Sequence, residues 1–204
     1  MITTRKLERQ RRKYKITPPR KGDVFTIPLD DGRVHLGQVI AFERFDLLFY
    51  IVVFDLVTTP ERAADLVDRA LASRPILAGQ TTEALFRPGG WKVVGNRPSE
   101  AARFLPAYKM DTPQGVFVKD FLATRQRPAT PEEAERLPPE HSTSPVAFQM
   151  ALNSFHGLAD HLDYFDTMDP DNIITAREIF GRGLVKSIVE WWEGVRRGAV
   201  KRGR

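Results

Sequence analysis

The first half of the chain alternates between apolar and polar positions, the pattern of β-strands. Residues Asp23–Leu29 place side chains on two faces with a period of two, and a turn at 30–32 follows, where Asp-Gly supplies positive φ. A second strand is predicted over 33–42, with Gly37 in its middle as a possible bulge or bend. A third, almost wholly apolar, is predicted over 47–54, and its composition indicates burial on both faces. These strands predict an antiparallel meander that curls towards a small barrel.

Helix and turn signals interrupt this pattern further along. Thr59-Pro60-Glu61 combines a hydroxyl cap, a proline and an acid, which predicts a helix through about Ser73. Residues 88–97 predict a turn, a short strand and a turn, and residues 116–118 predict a last edge strand. Prolines concentrate over 124–145 and indicate a linker. Within it, the tetrad beginning at Thr130 predicts a capping box and one or two helical turns.

Beyond the linker the apolar period becomes 3.6. Ser144-Pro145 predicts the start of a helix, Asp169-Pro170 its end, and a last helix is predicted over about 171–195. Of the adjacent Trp191 and Trp192, one is expected to pack inward and the other to anchor the hairpin to the β domain or lie at an interface. The stripe of the first helix comprises Phe148, Ala151, Phe155, Leu158, Leu162 and Phe165. The predicted fold is α+β: a curled antiparallel sheet or barrel-like domain with a C-terminal helical hairpin. The predicted domains are a basic flexible arm (1–20), a β-rich domain (21–122), a Pro-rich linker (123–144) and a helical region (145–204).

The chain's positive charge is concentrated at its N-terminus. Its 204 residues carry a net charge of +5, but residues 1–21 hold nine Lys/Arg against Glu8 alone, so the remainder is slightly acidic. A short helix over Thr4–Tyr14 is possible, in an arm expected to be mobile or loosely docked. A basic run of this density is typical of phosphate-backbone binding, which predicts possible nucleic-acid contacts through residues 1–21. The candidate residues are Arg9, Arg11, Arg12 and Lys13.

The lack of cysteine and of a long apolar segment bears on where the protein is located in the cell. The chain has no cysteine, which excludes disulfides and thiolate chemistry and is consistent with a reducing compartment. Its start is charged rather than apolar, and its most hydrophobic window, 45–57, is too short to span a bilayer. We therefore expect a cytoplasmic protein with no membrane partner; its oligomeric state stays open.

The sequence does not match the catalytic or metal-binding motifs with which we compared it. The segment 181–187 has the residue types of a phosphate-binding loop at the wrong spacing, and His156 and His161 lie five apart, whereas a helical metal pair favours four. The segment 169–172 lacks the later ligands of a calcium loop, and His35 is interpreted as a hydrogen-bonded structural histidine. We therefore predict a non-enzymatic protein with no cofactor and no metal; an uncharacterised hydrolase is the third alternative, after nucleic-acid binding.

Two segments resemble a known family. Lys21-Gly22-Asp23-Val24-Phe25-Thr26-Ile27-Pro28-Leu29-Asp30-Asp31-Gly32-Arg33, followed by Gly37-Gln38-Val39-Ile40, is similar to the opening of the immunity protein 26 family. Trp91-Lys92-Val93-Val94-Gly95-Asn96-Arg97-Pro98 resembles that family's later Trp-x-x-Ile/Val-Gly segment. The resemblance spans about residues 21–98.

The resemblance implies a protein that binds and neutralises a cognate toxin of a bacterial polymorphic-toxin system. Such proteins occlude the toxin stoichiometrically, so the resemblance implies no catalytic residue. The likeness does not extend to the arm or to the region after about 144. Candidate partner-binding residues lie at the first turn: Asp30, Asp31 and Arg33.

Overall fold

The computed structural model describes residues 4–43 and 48–181. The helices are α1 (Thr4–Tyr14), α2 (Val67–Leu71), α3 (Ala101–Phe104), α4 (Pro131–Arg136), α5 (Pro145–Phe155) and α6 (Ala176–Phe180). The strands are β1 (Asp23–Pro28), β2 (Val34–Phe42), β3 (Phe49–Thr58), β4 (Pro75–Thr81), β5 (Lys92–Asn96), β6 (Ala107–Thr112), β7 (Gly115–Asp120) and β8 (Gln126–Pro128). The predicted α+β class is confirmed.

The chain divides into two compact units. Of the described residues, one unit comprises those up to 100 together with 141–173, and the other comprises 101–140 and 174–181. The sequential division into arm, β domain, linker and helical region stays a prediction. Within the predicted linker the structure forms a short strand, β8, and the helix α4, whose capping box at Thr130 is confirmed.

The first unit is built on a five-stranded antiparallel sheet. Its strand order is β4-β3-β2-β1-β5, so the predicted meander of β1, β2 and β3 forms its centre. The barrel-like part of the prediction is wrong: β4 and β5 are the two edges of an open sheet. β4 follows α2 in a stretch where we predicted no strand, because its sequence does not alternate cleanly between apolar and polar residues.

Both faces of this sheet are covered, which explains why β3 is apolar from Phe49 to Phe54. On one face α5 contributes Phe148 and Leu152 to a core that also contains Phe25 and Ile51. On the other face Val67 of α2 joins a second cluster. Residues 49–54 of β3 are all buried, as predicted. A strand between two packed layers has no solvent-facing side and needs no polar positions.

Gly37 allows the sheet to pack closely against an aromatic ring. A Cβ on Gly37 would lie 2.8 Å from Cζ of Phe25, which is paired with it across the strands. The bulges in β2 fall elsewhere, between His35 and Leu36 and between Val39 and Ala41. The glycine therefore provides close approach rather than a bend.

Two predicted helices are shorter than expected. The segment after Thr59 forms turns and a 3-10 helix at Ala64–Leu66 before α2, so regular helix occupies only the end of the predicted span. α5 begins at Pro145, capped by Ser144 as predicted, but ends at Phe155.

The end of α5 has a defined cause. Gly157 has φ +68°, Leu158 N–H donates to Asn153 C=O at 2.8 Å, and Gly157 N–H donates to Ser154 C=O at 2.9 Å. This is the Schellman arrangement that closes a helix with a left-handed glycine. Residues after it form 3-10 turns at Asp163–Met168 and Pro170–Asn172.

The second unit contains a three-stranded sheet of order β6-β7-β8. The predicted edge strand at 116–118 is instead its centre, because β7 pairs with β6 on one side and β8 on the other. The last predicted helix, over about 171–195, is observed only as α6, which is capped by Thr175 and ends at the C-cap Gly181, with φ +75°. Residues 182–195, including Trp191-Trp192, lie outside the described residues.

Candidate functional site

The turn between β1 and β2 is a fixed polar projection of the first unit. Arg33 donates to Asp31 from its backbone N–H at 3.0 Å and from Nε at 2.7 Å, so the two side chains form an ion pair within the turn. Leu29 and Arg33 close the hairpin through a backbone hydrogen bond of 2.8 Å, and Gly32 adopts φ +86°. The ion pair lowers the pKa of Asp31 and keeps its carboxylate charged.

A buried amide from α5 anchors this turn. Asn153 is only 4% exposed, and its Oδ1 accepts the backbone N–H of Asp30 at 3.0 Å. This bond spans 123 residues of sequence and links the turn to the C-terminal part of α5. The candidate residues Asp30, Asp31 and Arg33 are thus brought together on a turn that is held from within the molecule.

Two histidines meet beside the same turn. Nε2 of His35 lies 2.7 Å from Nε2 of His156, and Nδ1 of His35 lies 3.0 Å from the carbonyl oxygen of Phe54. A carbonyl only accepts, so Nδ1 of His35 carries the hydrogen. In the neutral pair, His35 Nε2 is therefore the acceptor and His156 Nε2 the donor. The expected structural, hydrogen-bonded role of His35 agrees with these contacts.

The environment of the pair favours the neutral imidazoles. Burial lowers the pKa of His35, and the proximity of His156 lowers it further. Burial also lowers the pKa of His156; Arg33 acts in the same direction, whereas Asp31 and Asp55 oppose it. One proton added to the neutral pair would place a cation in this part-buried contact, and a second added proton would place two cations side by side. The pair therefore serves as a neutral connection between β2 and the end of α5.

The second set of candidate residues lies on α1. Arg9, Arg12 and Lys13 are exposed, with Lys13 Nζ 5.1 Å from the ring centroid of Tyr14. Arg11 instead donates to Glu83 through Nε at 2.5 Å and Nη2 at 2.8 Å. The helix predicted over Thr4–Tyr14 is confirmed. Of the four candidate cations, three are exposed to solvent, and Arg11 forms an ion pair with Glu83.

The residues that the structure describes offer no group of three or more His, Asp or Glu side chains placed to hold a metal ion. His156 and His161 do not share a helix, since α5 ends before both. None of the described helices is long and apolar enough to cross a membrane.

Comparison with known proteins bears on the same part of the chain. Residues 20–112 match the model of the immunity protein 26 family. The resemblance expected over about residues 21–98 is thereby confirmed over that segment. It includes all five strands of the first sheet, together with α3 and β6. No curated protein and no solved structure matches the chain.

Sequence reasoning found the turn but missed the groups behind it. His156 was considered as half of a metal pair with His161, and no role was given to Asn153. Both come from a helix more than 120 residues away from the turn, and no spacing rule connects partners at that separation. The only local signal was Gly157, which marks the end of α5 and so places His156 at the helix cap.

Proposed function

We propose that this chain binds a cognate protein toxin of a bacterial polymorphic-toxin system and neutralises it by stoichiometric occlusion. The observation that carries the proposal is the match of residues 20–112 to the immunity protein 26 family, which is generally non-enzymatic. Neutralisation takes place in the cytoplasm in this proposal, before the toxin reaches its target, and it includes no catalytic step.

We further propose the β1–β2 turn as one contact with the toxin. The turn presents charged groups that are already ordered by the Asp31–Arg33 pair and by Asn153. A contact surface that is ordered before binding loses less conformational entropy when the partner arrives. This favours the turn over a flexible segment as a specific recognition element.

The first experiment identifies the partner. The tagged chain is recovered from its native cells with and without nuclease treatment and washed at high salt. We expect one stoichiometric protein to survive both treatments, to arrest growth when expressed alone and to be tolerated when co-expressed with this chain. Recovery of nucleic acid alone, lost with salt, would contradict the proposal and favour binding through α1.

The second experiment tests the turn. Asp31→Ala with Arg33→Ala removes an exposed ion pair, and Glu132→Ala with Arg136→Ala removes another exposed pair, at 3.1 Å on α4, as a matched control. Exposed ion pairs add little to folding stability, so both variants should keep nearly the wild-type melting temperature. We expect the turn variant alone to weaken toxin binding at least about tenfold, or ~1.4 kcal/mol. Equal affinity of both variants would exclude the turn as a contact.

A further inference from the structure

A second surface of the first unit exposes large apolar side chains. Of the eight large hydrophobic residues exposed in the part of the chain that the structure describes, six lie between 146 and 164. Phe155 is 62% exposed, Leu162 48%, Tyr164 45% and Leu158 39%. We refer to these four residues as the α5-end surface. Such clustered exposure is uncommon on a protein that remains alone, whereas single exposed apolar residues are ordinary.

The α5-end surface results from the early end of α5. Phe155, Leu158 and Leu162 were predicted to continue one buried stripe with Phe148 and Phe165. Phe148 and Phe165 are buried at 0% and 5% exposure, but the left-handed Gly157 turns the chain away, and the three residues between them stay in solvent. The helix therefore ends before Leu158 and Leu162 could join Phe148 in the buried stripe.

A cleft opens beside this surface. It has a volume of about 220 Å³. Its apolar walls include Phe155 and Phe165, and Leu77 of β4 contributes from the sheet. Asp55, Asp166 and Asp169 supply carboxylates to the same cleft. The cleft can therefore hold a large apolar side chain of a partner, with positively charged residues next to that side chain facing the carboxylates.

The charge around the cleft is negative. From residue 141 to 176 the chain has five aspartates and no lysine, arginine or glutamate. Asp160 and Asp163 are exposed and form no ion pair with any residue in 4–43 or 48–181. Arg74 also lines the cleft, but it is paired with Asp171 at 2.8 Å. The surface is therefore complementary to a cationic partner.

We propose that the cleft and the α5-end surface bind a basic, apolar segment of the toxin. A large apolar or aromatic side chain of the toxin enters the cleft and packs against Phe155, and adjacent Lys or Arg side chains meet the aspartates. This inference rests on the proposed function for the identity of the partner. The α5-end surface lies outside residues 20–112, whereas Asp55 and Leu77 of the cleft lie within them, so the inference extends the contact beyond the part of the chain that the family match covers.

A defined peptide tests the surface without the toxin. The probe is a five-residue peptide alternating lysine and tryptophan, added at millimolar concentration to the full-length, isotope-labelled chain, with a glutamate–tryptophan peptide as its counterpart. We expect amide resonances within residues 155–169 to shift with the basic peptide only. Phe155→Ala with Leu162→Ala should abolish the shifts, whereas Tyr14→Ala, an exposed aromatic residue elsewhere, should preserve them. No shifts, or shifts confined to other regions, would overturn the proposal.

The captured toxin provides the second arm. Phe155→Ala with Leu162→Ala should weaken its binding at least about tenfold. Asp160→Asn with Asp163→Asn should slow association and flatten its salt dependence, because charge pairs at the rim act mainly on the association rate. If the toxin binds these variants as tightly as the wild type, this inference fails while the proposed function stands. If no toxin is captured, the proposed function fails whatever the peptide shows.

A second copy of the chain is the alternative occupant of the α5-end surface. Sedimentation of the wild type and of the Phe155→Ala, Leu162→Ala variant distinguishes it. We expect the same mass for both. A dimer that the variant converts to a monomer would assign the surface to a second copy of the chain and overturn the proposal.

Discussion

At the scale of single residues, the His35–His156 pair is the connection between the sheet and the end of α5. His35 is fully buried, and its two ring nitrogens are both engaged, one by Phe54 and one by His156. Because its ring hydrogen is directed at a carbonyl, the pair is satisfied in its neutral form. A proton added to His35 would have to displace the hydrogen bond from His156, whereas a proton added at Nδ1 of His156 keeps that bond but places a cation against the buried ring of His35.

This geometry predicts that stability depends on pH below about 6.5. Both folded-state pKa values lie below the ordinary histidine value of 6.5, mainly because of burial. The unfolded chain therefore takes up protons first as the pH falls, and the free energy of unfolding decreases from about pH 6.5 towards the lower folded pKa values. Above that window the contribution is fully present. Urea unfolding between pH 7.5 and 5 measures it.

Replacing one histidine of the pair checks the assignment. Gln in His156→Gln keeps an N–H donor in reach of His35 but does not titrate, so the decline in stability between pH 6.5 and 5 should become shallower. Urea unfolding of the wild type and of His156→Gln over this pH range compares the two slopes. If His156→Gln and the wild type decline in parallel, the pH dependence originates elsewhere.

At the scale of elements, close packing explains Gly37 and yields a stability prediction. Gly37→Ala places a methyl group 2.8 Å from Cζ of Phe25, whose ring is enclosed by Phe86 and Trp91 at centroid distances of 4.9 and 5.0 Å. The ring has little space to move aside. We expect a loss of about 1–3 kcal/mol of unfolding free energy, measured by chemical denaturation.

A double-variant cycle separates this contact from a general effect of alanine in a strand. Phe25→Leu shortens the side chain that meets the new methyl group. The combination with Gly37→Ala should therefore be destabilised by less than the sum of the two single variants. Strict additivity would show that the Gly37–Phe25 contact is not the cause.

The elements that could be predicted are those with local signals. β1, β2 and the turn between them follow from alternation and Asp-Gly, and the starts of α4 and α5 follow from Thr130 and Ser144 with their prolines. The end of α5 was placed at Asp169-Pro170 because the apolar period continues to Phe165. Gly157 overrides that period, since one left-handed residue redirects the chain whatever follows it.

Elements that depend on distant partners were not predictable in the same way. β4 lacks clean alternation and exists because β3 offers it an edge. β7 has the sequence of a short apolar strand, and only its pairing with both β6 and β8 places it at the centre of its sheet. In the candidate site the turn was found from its residues, but Asn153 and His156 depend on where α5 packs.

At the scale of the whole molecule, the charges are segregated along the chain. Positive charge concentrates in residues 1–21 and again in residues 182–204, which hold seven Lys/Arg and two Glu, and negative charge concentrates between 141 and 176. A partner with a cationic face would be attracted by residues 141–176 and repelled by residues 1–21. The two candidate functions, toxin binding and nucleic-acid binding, therefore make separable demands on residues 141–176 and on residues 1–21.

Removing the arm tests this separation. Residues 1–15 contain seven Lys/Arg and one Glu, so their deletion changes the net charge from +5 to −1. Nonspecific polyanion binding depends on such clustered cations and weakens with salt. We expect the shortened chain to flow through a heparin column at physiological salt on which the full chain is retained. Toxin binding through the α5-end surface should persist or strengthen, because the repelling charge is gone.

The fold should survive this deletion, which makes the test interpretable. Thr17 donates its backbone N–H to Phe86 at 2.8 Å and remains in the shortened chain, and the ion pair that is lost, Arg11–Glu83, is partly exposed. Arg9→Ala, Arg12→Ala and Lys13→Ala together provide the matched variant, which keeps α1 and that ion pair while removing three exposed cations. It should elute from heparin at lower salt than the full chain. If both variants are retained like the full chain, the anion-binding surface lies outside α1, and nucleic-acid binding through the arm is excluded.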